Sequence, residues 1–182
     1  MNLANFFTWL RIILTPVTVG FLFLSIPSKQ YFAAGVFILA CLTDGLDGYF
    51  ARIRREVTAF GKFLDPLADK ILIGAALISL WRLQKVGGWV VFLILGREVF
   101  ITILRIFAAR RGISVAASIW GKVKTVTQIP AVVWLILDWP GATFLLGVAV
   151  FFTLYSALDY VSKWRRLLAG EKARPATPAP PP

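Results

Sequence analysis

The chain has 182 residues, of which 58% are hydrophobic, 20 are lysine or arginine and only nine are acidic. This composition is too apolar for an ordinary soluble domain, and several segments approach the roughly 20 apolar residues that a transmembrane helix needs. The single cysteine excludes a disulfide framework, and the absence of histidine makes carboxylates the first candidates for a general base. The formal charge of +11 gathers at the ends of apolar segments, so anionic lipids and phosphate-bearing substrates are the expected partners, and nucleic acid is not.

The apolar segments predict an all-α integral membrane protein with six transmembrane helices preceded by a short amphipathic interfacial helix. Residues 2–11 form the interfacial helix in this prediction, with Phe6, Phe7 and Trp9 as anchors. The six spans are expected at about 12–26, 31–52, 59–81, 89–107, 123–139 and 142–168. Residues 1–170 would then form one membrane domain, followed by a disordered Pro/Ala-rich tail over 171–182.

Lysine and arginine are distributed unequally between the two ends of these spans. One end has only Lys29, Arg82 and Lys85, whereas nearly all other basic residues gather at the opposite end. Because cytoplasmic loops of membrane proteins carry the excess of lysine and arginine, the basic end is predicted to be cytoplasmic. Both chain termini would lie on that side.

Four aspartates, of nine acidic residues in the chain, fall within residues 44–69 at helical spacings. One stripe runs through Asp44, Asp47, Gly48 and Ala51, and a second through Gly61, Asp65 and Asp69. Residues at these spacings share one helix face. Two such helices side by side would bring four carboxylates together, and either protonation or a bound divalent cation would relieve their repulsion. The small residues would let a substrate approach the backbone, and Arg52 is placed to hold a phosphate.

The pattern Asp47-Gly48-x-x-Ala51-Arg52, eight residues, Gly61, three residues, Asp65, three residues, Asp69 resembles the signature of the CDP-alcohol phosphatidyltransferases. Asp44 also stands where that family has its first aspartate. The resemblance implies transfer of a phosphatidyl group from a CDP-linked lipid to an alcohol, with release of CMP. It implies two divalent cations, Mg²⁺ or Mn²⁺, held by Asp44, Asp47, Asp65 and Asp69, with Asp69 also the candidate general base. By the same resemblance Gly48, Ala51 and Gly61 lie along the nucleotide and Arg52 near the diphosphate.

Three further segments are similar to the bacterial branch of this family that makes phosphatidylglycerol phosphate. The first is the N-terminal segment that contains Asn5, Thr8 and Arg11. The other two are residues 61–70 and residues 121–125. The branch implies CDP-diacylglycerol as donor and glycerol 3-phosphate as acceptor. It also implies a homodimer in the bacterial inner membrane, with the active site on the cytoplasmic side.

Basic residues near the cytoplasmic ends of the later spans are candidates for binding an acceptor phosphate: Arg97, Arg105, Lys122 and Lys124. An arginine as deep in an apolar span as Arg97 is costly and usually functional. A structural ion pair with Glu98 or with a motif aspartate is the alternative for Arg97, and snorkelling to the interface is the alternative for Arg105. For the two lysines the alternative is the ordinary cytoplasmic excess of positive charge.

Other functions remain compatible with parts of this pattern. The same chemistry could use inositol phosphate, serine or phosphatidylglycerol as the acceptor. A small cation transporter would also place aspartates in membrane helices, but here the acidic residues gather at one face and no acidic relay continues across. A membrane scaffold protein that catalyses no reaction would not need the complete motif.

Overall fold

The computed structural model describes residues 3–54, 59–110 and 119–172, with side chains described for 6–43, 67–108, 110 and 119–167. These residues form six α-helices and no strand. The helices are α1 Leu3–Phe23, α2 Lys29–Arg54, α3 Ala59–Arg82, α4 Gly88–Arg110, α5 Ile119–Leu137 and α6 Ala142–Lys172. The all-α prediction is confirmed for this part of the chain.

Short connections turn the chain back on itself between successive helices. Residues 24–28 join α1 to α2, residues 83–87 join α3 to α4, and residues 138–141 join α5 to α6. In the last of these turns Gly141 has a φ of 82°, a conformation in which a side chain would be strained. The Lys85 Nζ donates to Asp138 Oδ2 at 2.6 Å. The α3–α4 and α5–α6 connections therefore lie at the same end of the bundle.

The core consists of small and branched apolar side chains from the middle of the helices. α1 packs against α2 and α3, α5 packs against α6 and α2, and α4 packs against α6. Phe37, Leu77, Ile94 and Ile136 are fully buried and bring α2, α3, α4 and α5 into one cluster. Alanines such as Ala33 and Ala40 lie between them, and their small side chains let the helix backbones approach closely.

Several buried threonine hydroxyls in these helices donate to the backbone of their own helix. Thr15 Oγ1 donates to the Arg11 carbonyl and Thr18 Oγ1 to the Leu14 carbonyl, both at 2.9 Å. Thr153 makes the equivalent bond in α6. A bond of this type leaves no unpaired donor, so threonine is tolerated inside an apolar helix.

The N-terminal segment differs from the prediction of two separate elements. α1 is continuous from Leu3 to Phe23 and has no break near residue 11, where the interfacial helix was expected to end. Arg11, expected at the membrane surface, is fully buried on this helix together with Thr8, Thr15 and Thr18. These residues recur every three or four positions, so one polar stripe faces the bundle. At the other end, α6 continues through Lys172, and the rest of the predicted tail lies outside the described residues.

Among the described residues, two segments are long and apolar enough to cross a membrane, Phe6–Phe23 and Ala142–Leu167. Lys29–Thr43 is a shorter apolar helix segment. Large apolar side chains also stand on the outer surface, including Phe92, Phe144 and Leu158, which are at least 70% exposed. An outer surface this apolar is expected where lipid, rather than water, surrounds the helices.

We predict that replacing Phe37 by alanine will destabilise the bundle strongly, because the ring is fully buried at the contact between helices. The expected loss in the free energy of unfolding is about 3–5 kcal/mol. Leu39→Ala, two residues along α2 and 50% exposed, is the control and should cost less than about 1 kcal/mol. Thermal unfolding of both variants in detergent measures the difference, and equal losses would contradict the assignment of Phe37 to the core.

Candidate functional site

A polar cavity of about 460 Å³ lies between α3, α4, α5 and α6. Its wall contains five cationic side chains, Lys70, Arg97, Arg105, Lys122 and Lys124. Two carboxylates, Asp69 and Glu98, line the same cavity. The described wall therefore has an excess of positive charge, and an anionic ligand is favoured there.

Glu98 is the carboxylate that holds the inner part of this wall together. Its Oε1 accepts from Arg97 Nη1 at 2.8 Å and from Lys124 Nζ at 2.6 Å. All three side chains are at most 15% exposed. Arg97 Nη2 also donates to Ser156 Oγ at 2.8 Å, so the network connects α4 to both α5 and α6.

The cationic side chains in the outer part of the wall make fewer contacts with carboxylates. The Arg105 guanidinium lies 5.7 Å from the centre of the Tyr160 ring, a cation–π contact that holds it near the cavity. Lys122 is exposed, and within the described part of the chain neither it nor Arg105 forms an ion pair with a carboxylate. Lys70 donates to Thr102 Oγ1, whose hydroxyl in turn donates to the Glu98 carbonyl. These three cations retain charge that a ligand phosphate could neutralise.

Two buried polar atoms beside the cavity lack a hydrogen-bond partner among the described residues. They are Arg97 Nε and the Tyr160 hydroxyl, and Tyr160 is only 3% exposed. A buried polar group without a partner costs roughly 1–3 kcal/mol. A ligand carrying hydroxyl or phosphate oxygens would satisfy both atoms.

The predicted metal ligands are only partly within the described structure. Asp44 and Asp47 belong to α2, and Asp65 and Asp69 belong to α3, so both helical spacings are confirmed. Of the four side chains only that of Asp69 is described, and it lines the polar cavity. Within the described residues no group of three acidic, cysteine or histidine side chains forms a metal site. The donor set itself, four carboxylates, is of the kind that hard divalent cations prefer.

The remaining motif residues also belong to α2 or α3, but the structure describes only their backbone. They are Gly48, Ala51, Arg52 and Gly61. The four predicted acceptor-binding residues, in contrast, all line the cavity that contains Asp69. For Arg97 the structural pair with Glu98, which the sequence left as an alternative, is present.

Several residues of the cavity were not singled out as site residues from the sequence. Glu98 was considered only as a partner of Arg97, and Lys70, Ser156 and Tyr160 had no assigned role. Lys70 directly follows Asp69, and Glu98 lies within an apolar helix. An ionisable residue inside a membrane helix is by itself a signal of function, and that signal could have identified Glu98.

This arrangement defines a helical protein with an apolar exterior and a basic cavity between its helices. The sequence model of the CDP-alcohol phosphatidyltransferase family matches residues 1–155. The chain therefore belongs to the CDP-alcohol phosphatidyltransferase family and is an enzyme of this class.

Bacterial relatives resemble nearly the whole chain. A Bacillus subtilis (strain 168) protein named CDP-diacylglycerol–glycerol-3-phosphate 3-phosphatidyltransferase is 42% identical, over 91% of this chain and 97% of its own length. A Mycobacterium tuberculosis (strain H37Rv) protein named probable phosphatidylglycerophosphate synthase is 39% identical, over 93% of this chain and 84% of its own. A Haemophilus influenzae relative with the same name as the Bacillus protein is 35% identical over 88% and 91%.

We predict that Glu98→Ala will destabilise the protein, because it leaves Arg97 and Lys124 buried without their carboxylate. Removing one member of a buried ion pair typically costs about 3–5 kcal/mol. Asp138→Ala is the matched control, because Asp138 pairs with Lys85 at an exposed position and should contribute less than about 1 kcal/mol. Thermal unfolding in detergent compares the two variants, and a smaller loss for Glu98→Ala than for Asp138→Ala would contradict the network described here.

Proposed function

We propose that this protein transfers the phosphatidyl group of CDP-diacylglycerol to glycerol 3-phosphate, forming phosphatidylglycerol phosphate and CMP. The observation that carries the proposal is the polar cavity, which combines a motif carboxylate, Asp69, with cationic groups from three helices, α3, α4 and α5. The names of the bacterial relatives support both substrates. A phosphorylated alcohol needs a base for its hydroxyl and cations for its phosphate, and this wall offers both.

Asp69 is proposed as the general base. With no histidine in the chain, a carboxylate is the most suitable acceptor for the proton of the attacking hydroxyl. Lys70, next to Asp69 on α3, lines the same cavity and would attract the acceptor towards it. Attack of the glycerol 3-phosphate hydroxyl oxygen on the lipid-linked phosphorus breaks the bond to CMP, and Asp69 takes the hydroxyl proton.

The acceptor phosphate is proposed to bind at the outer part of the cavity, between Arg105 and Lys122. These side chains have no ion-pair partner among the described residues, whereas Arg97 and Lys124 already share Glu98. Arg97 and Lys124 would then form the inner wall and contribute long-range attraction. The Tyr160 hydroxyl, which lacks a described partner, is available to a hydroxyl of the acceptor.

The carboxylates of Asp44, Asp47, Asp65 and Asp69 are proposed to hold two divalent cations, Mg²⁺ or Mn²⁺. When bound, such ions stabilise negative charge on the attacking and leaving oxygens of a phosphoryl group. Gly48, Ala51 and Gly61 are proposed to lie along the nucleotide, and Arg52 near the diphosphate. These positions are on α2 and α3, the two helices that contribute the aspartates.

The six helices are proposed to span the bacterial inner membrane, with residues 1–170 forming one domain. The basic end of the bundle would be cytoplasmic, together with both termini and the active site, because of the lysine and arginine bias. Residues 3–11 would form the interfacial beginning of α1 rather than a separate helix. A homodimer is proposed from the family resemblance.

The proposal is tested by CMP release from detergent-purified protein supplied with CDP-diacylglycerol and Mg²⁺ or Mn²⁺. Glycerol 3-phosphate, inositol phosphate, serine and phosphatidylglycerol are offered separately. We expect CMP release when glycerol 3-phosphate is the acceptor and not with the other three acceptors. Asp69→Asn should lower kcat by roughly 10²–10⁴-fold, because the general base is lost.

The control variant is Asp138→Asn, which changes an exposed carboxylate at the opposite end of the bundle and should retain activity. Release with a different acceptor would keep the chemistry and reject glycerol 3-phosphate as the substrate. Failure to release CMP with any acceptor, from protein with a normal unfolding transition, would reject the proposed function.

We predict that Arg105→Gln and Lys122→Gln will each raise the KM for glycerol 3-phosphate while leaving the KM for CDP-diacylglycerol unchanged. Loss of one hydrogen bond to a charged phosphate corresponds to roughly a 10- to 100-fold weaker interaction. Arg82→Gln is the control, since Arg82 is exposed at the other end of α3. A change in the KM for the lipid donor alone would place the acceptor elsewhere.

A further inference from the structure

Arg11 is one of the largest fully buried side chains of the bundle, and the proposed function gives it no role. It lies on α1 between Thr8 and Thr15, and its exposed fraction is 0%. Its backbone carbonyl accepts the Thr15 hydroxyl at 2.9 Å, so this turn of α1 is well ordered. An arginine keeps its charge in a protein interior, and burial of that charge is stable only with a carboxylate at short range. Full burial of Arg11 therefore indicates an acidic residue nearby.

The packing of the helices restricts the carboxylates that Arg11 can reach. α1 packs against α2 and α3. Glu98 pairs with cations of α4 and α5, Asp138 pairs with Lys85, and Asp159 pairs within α6. These three carboxylates are thus engaged in other parts of the bundle. The acidic residues that belong to α2 and α3 are the four motif aspartates.

The register of α1 against α2 places Arg11 close to the first aspartate pair. Only residues 24–28 join the two helices, so they run antiparallel. Beside this connection the rings of Phe21 and Phe32 stack, with their centroids 5.7 Å apart. Both helices rise about 1.5 Å per residue, so each step back along α1 corresponds to one step forward along α2. Arg11 then lies at about the level of Leu42, and Asp44 follows on the next turn of α2.

Two further features direct the guanidinium towards Asp44 and Asp47. Side chains of an α-helix lean towards its N-terminus, so that of Arg11 extends in the direction in which α2 runs from residue 42 to residue 47. On α2 the residues Phe37 and Ala40 are fully buried at helical spacing, and Asp44 and Asp47 are the next two positions of that line. The buried faces of α1 and α2 therefore carry residues of opposite charge at the same level.

We propose that Arg11 is a positioning residue of the reaction centre, whose guanidinium pairs with the carboxylates of Asp44 and Asp47 and keeps them in place when no cation is bound. The role of these carboxylates as metal ligands rests on the proposed function, whereas the ion pair itself does not. Four carboxylates in one place repel each other, and a fixed positive charge lowers that repulsion before divalent cations bind. Arg11 thus preserves the aspartate arrangement in the metal-free protein.

The first test is a double-mutant cycle on the full-length protein in detergent, with EDTA present and the midpoint of thermal unfolding as the readout. Arg11→Gln leaves buried carboxylates without their cation and should lower the midpoint by roughly 6–20 °C. Adding Asp44→Asn or Asp47→Asn removes one of the uncompensated charges, so each double variant should unfold at a higher temperature than Arg11→Gln alone. If Arg11→Gln does not fold, recovery of folded protein in a double variant supports the same pairing.

Thr18→Val is the matched control. Thr18 is 1% exposed on the same face of α1, two turns further from the aspartates, and its hydroxyl donates to the Leu14 carbonyl. In the Thr18→Val background, Asp44→Asn should change the midpoint by the same amount as in the unaltered protein, because distant sites are additive.

The second measurement is the rise in the unfolding midpoint when Mn²⁺ is added, which reports binding without catalysis. Mn²⁺ supplies the compensation that Arg11→Gln lacks, so the rise should be larger for this variant than for the unaltered protein or Thr18→Val. Arg11→Lys keeps the charge without the planar guanidinium and should give an intermediate rise. A residue that only packed α1 against α2 would lower the midpoint and leave the rise unchanged, and that result would overturn the positioning role.

Two other results would overturn the pairing of Arg11 with the α2 aspartates. One is an Arg11→Gln variant that neither Asp44→Asn nor Asp47→Asn stabilises. The other is a higher KM for CDP-diacylglycerol in Arg11→Gln without any such coupling, which would assign Arg11 to the donor diphosphate. Coupling in a protein that releases no CMP with any acceptor would retain the ion pair and reject the proposed function.

Discussion

The ion pairs of Glu98 are the interaction on which the polar interior of this bundle depends. Charges inside apolar helices are stable only when they are compensated at short range. One carboxylate oxygen compensates both Arg97 on the same helix and Lys124 on α5, and Arg97 reaches Ser156 on α6. Three helices are therefore held at fixed distances by a network centred on one side chain. The cavity keeps its shape because these helices cannot separate without exposing an uncompensated charge.

Glu98 compensates only the cations near it, so the inner and outer parts of the cavity differ in uncompensated charge. The inner cations share Glu98, whereas Arg105 and Lys122 face the cavity with no ion pair in the described part of the chain. The cations without a described ion pair thus lie at the outer part of the cavity, where they would attract a soluble anion. Among the described residues Arg105 is restrained by a cation–π contact with Tyr160, which leaves its hydrogen-bond donors available to a phosphate.

The sequence was sufficient for the helices but not for the arrangement of their polar groups. Long apolar segments and turn residues predicted five helices whose positions agree with α2 to α6, because helix formation depends on local pattern. The spacing of the basic residues could not show that Glu98 pairs with Lys124, 26 positions away, since that contact depends on how α4 packs against α5. Burial of Arg11 was missed for the same reason: a basic residue near a helix end resembles a surface anchor until the neighbouring helices are placed.

In the proposed function, the position of Asp69 and Lys70 would let one small bundle join a water-soluble reactant to a lipid. These consecutive residues of α3 line both the basic cavity and a mostly apolar cavity of about 540 Å³ between α3, α4 and α5. On an α-helix, neighbouring side chains point about 100° apart, so a single turn can contribute to two adjoining walls. An acceptor entering from the basic side and a lipid entering from the apolar side would meet at this turn. In the proposed function the polarity of the two cavities would therefore bring the reacting groups together, because each reactant is compatible with only one of them.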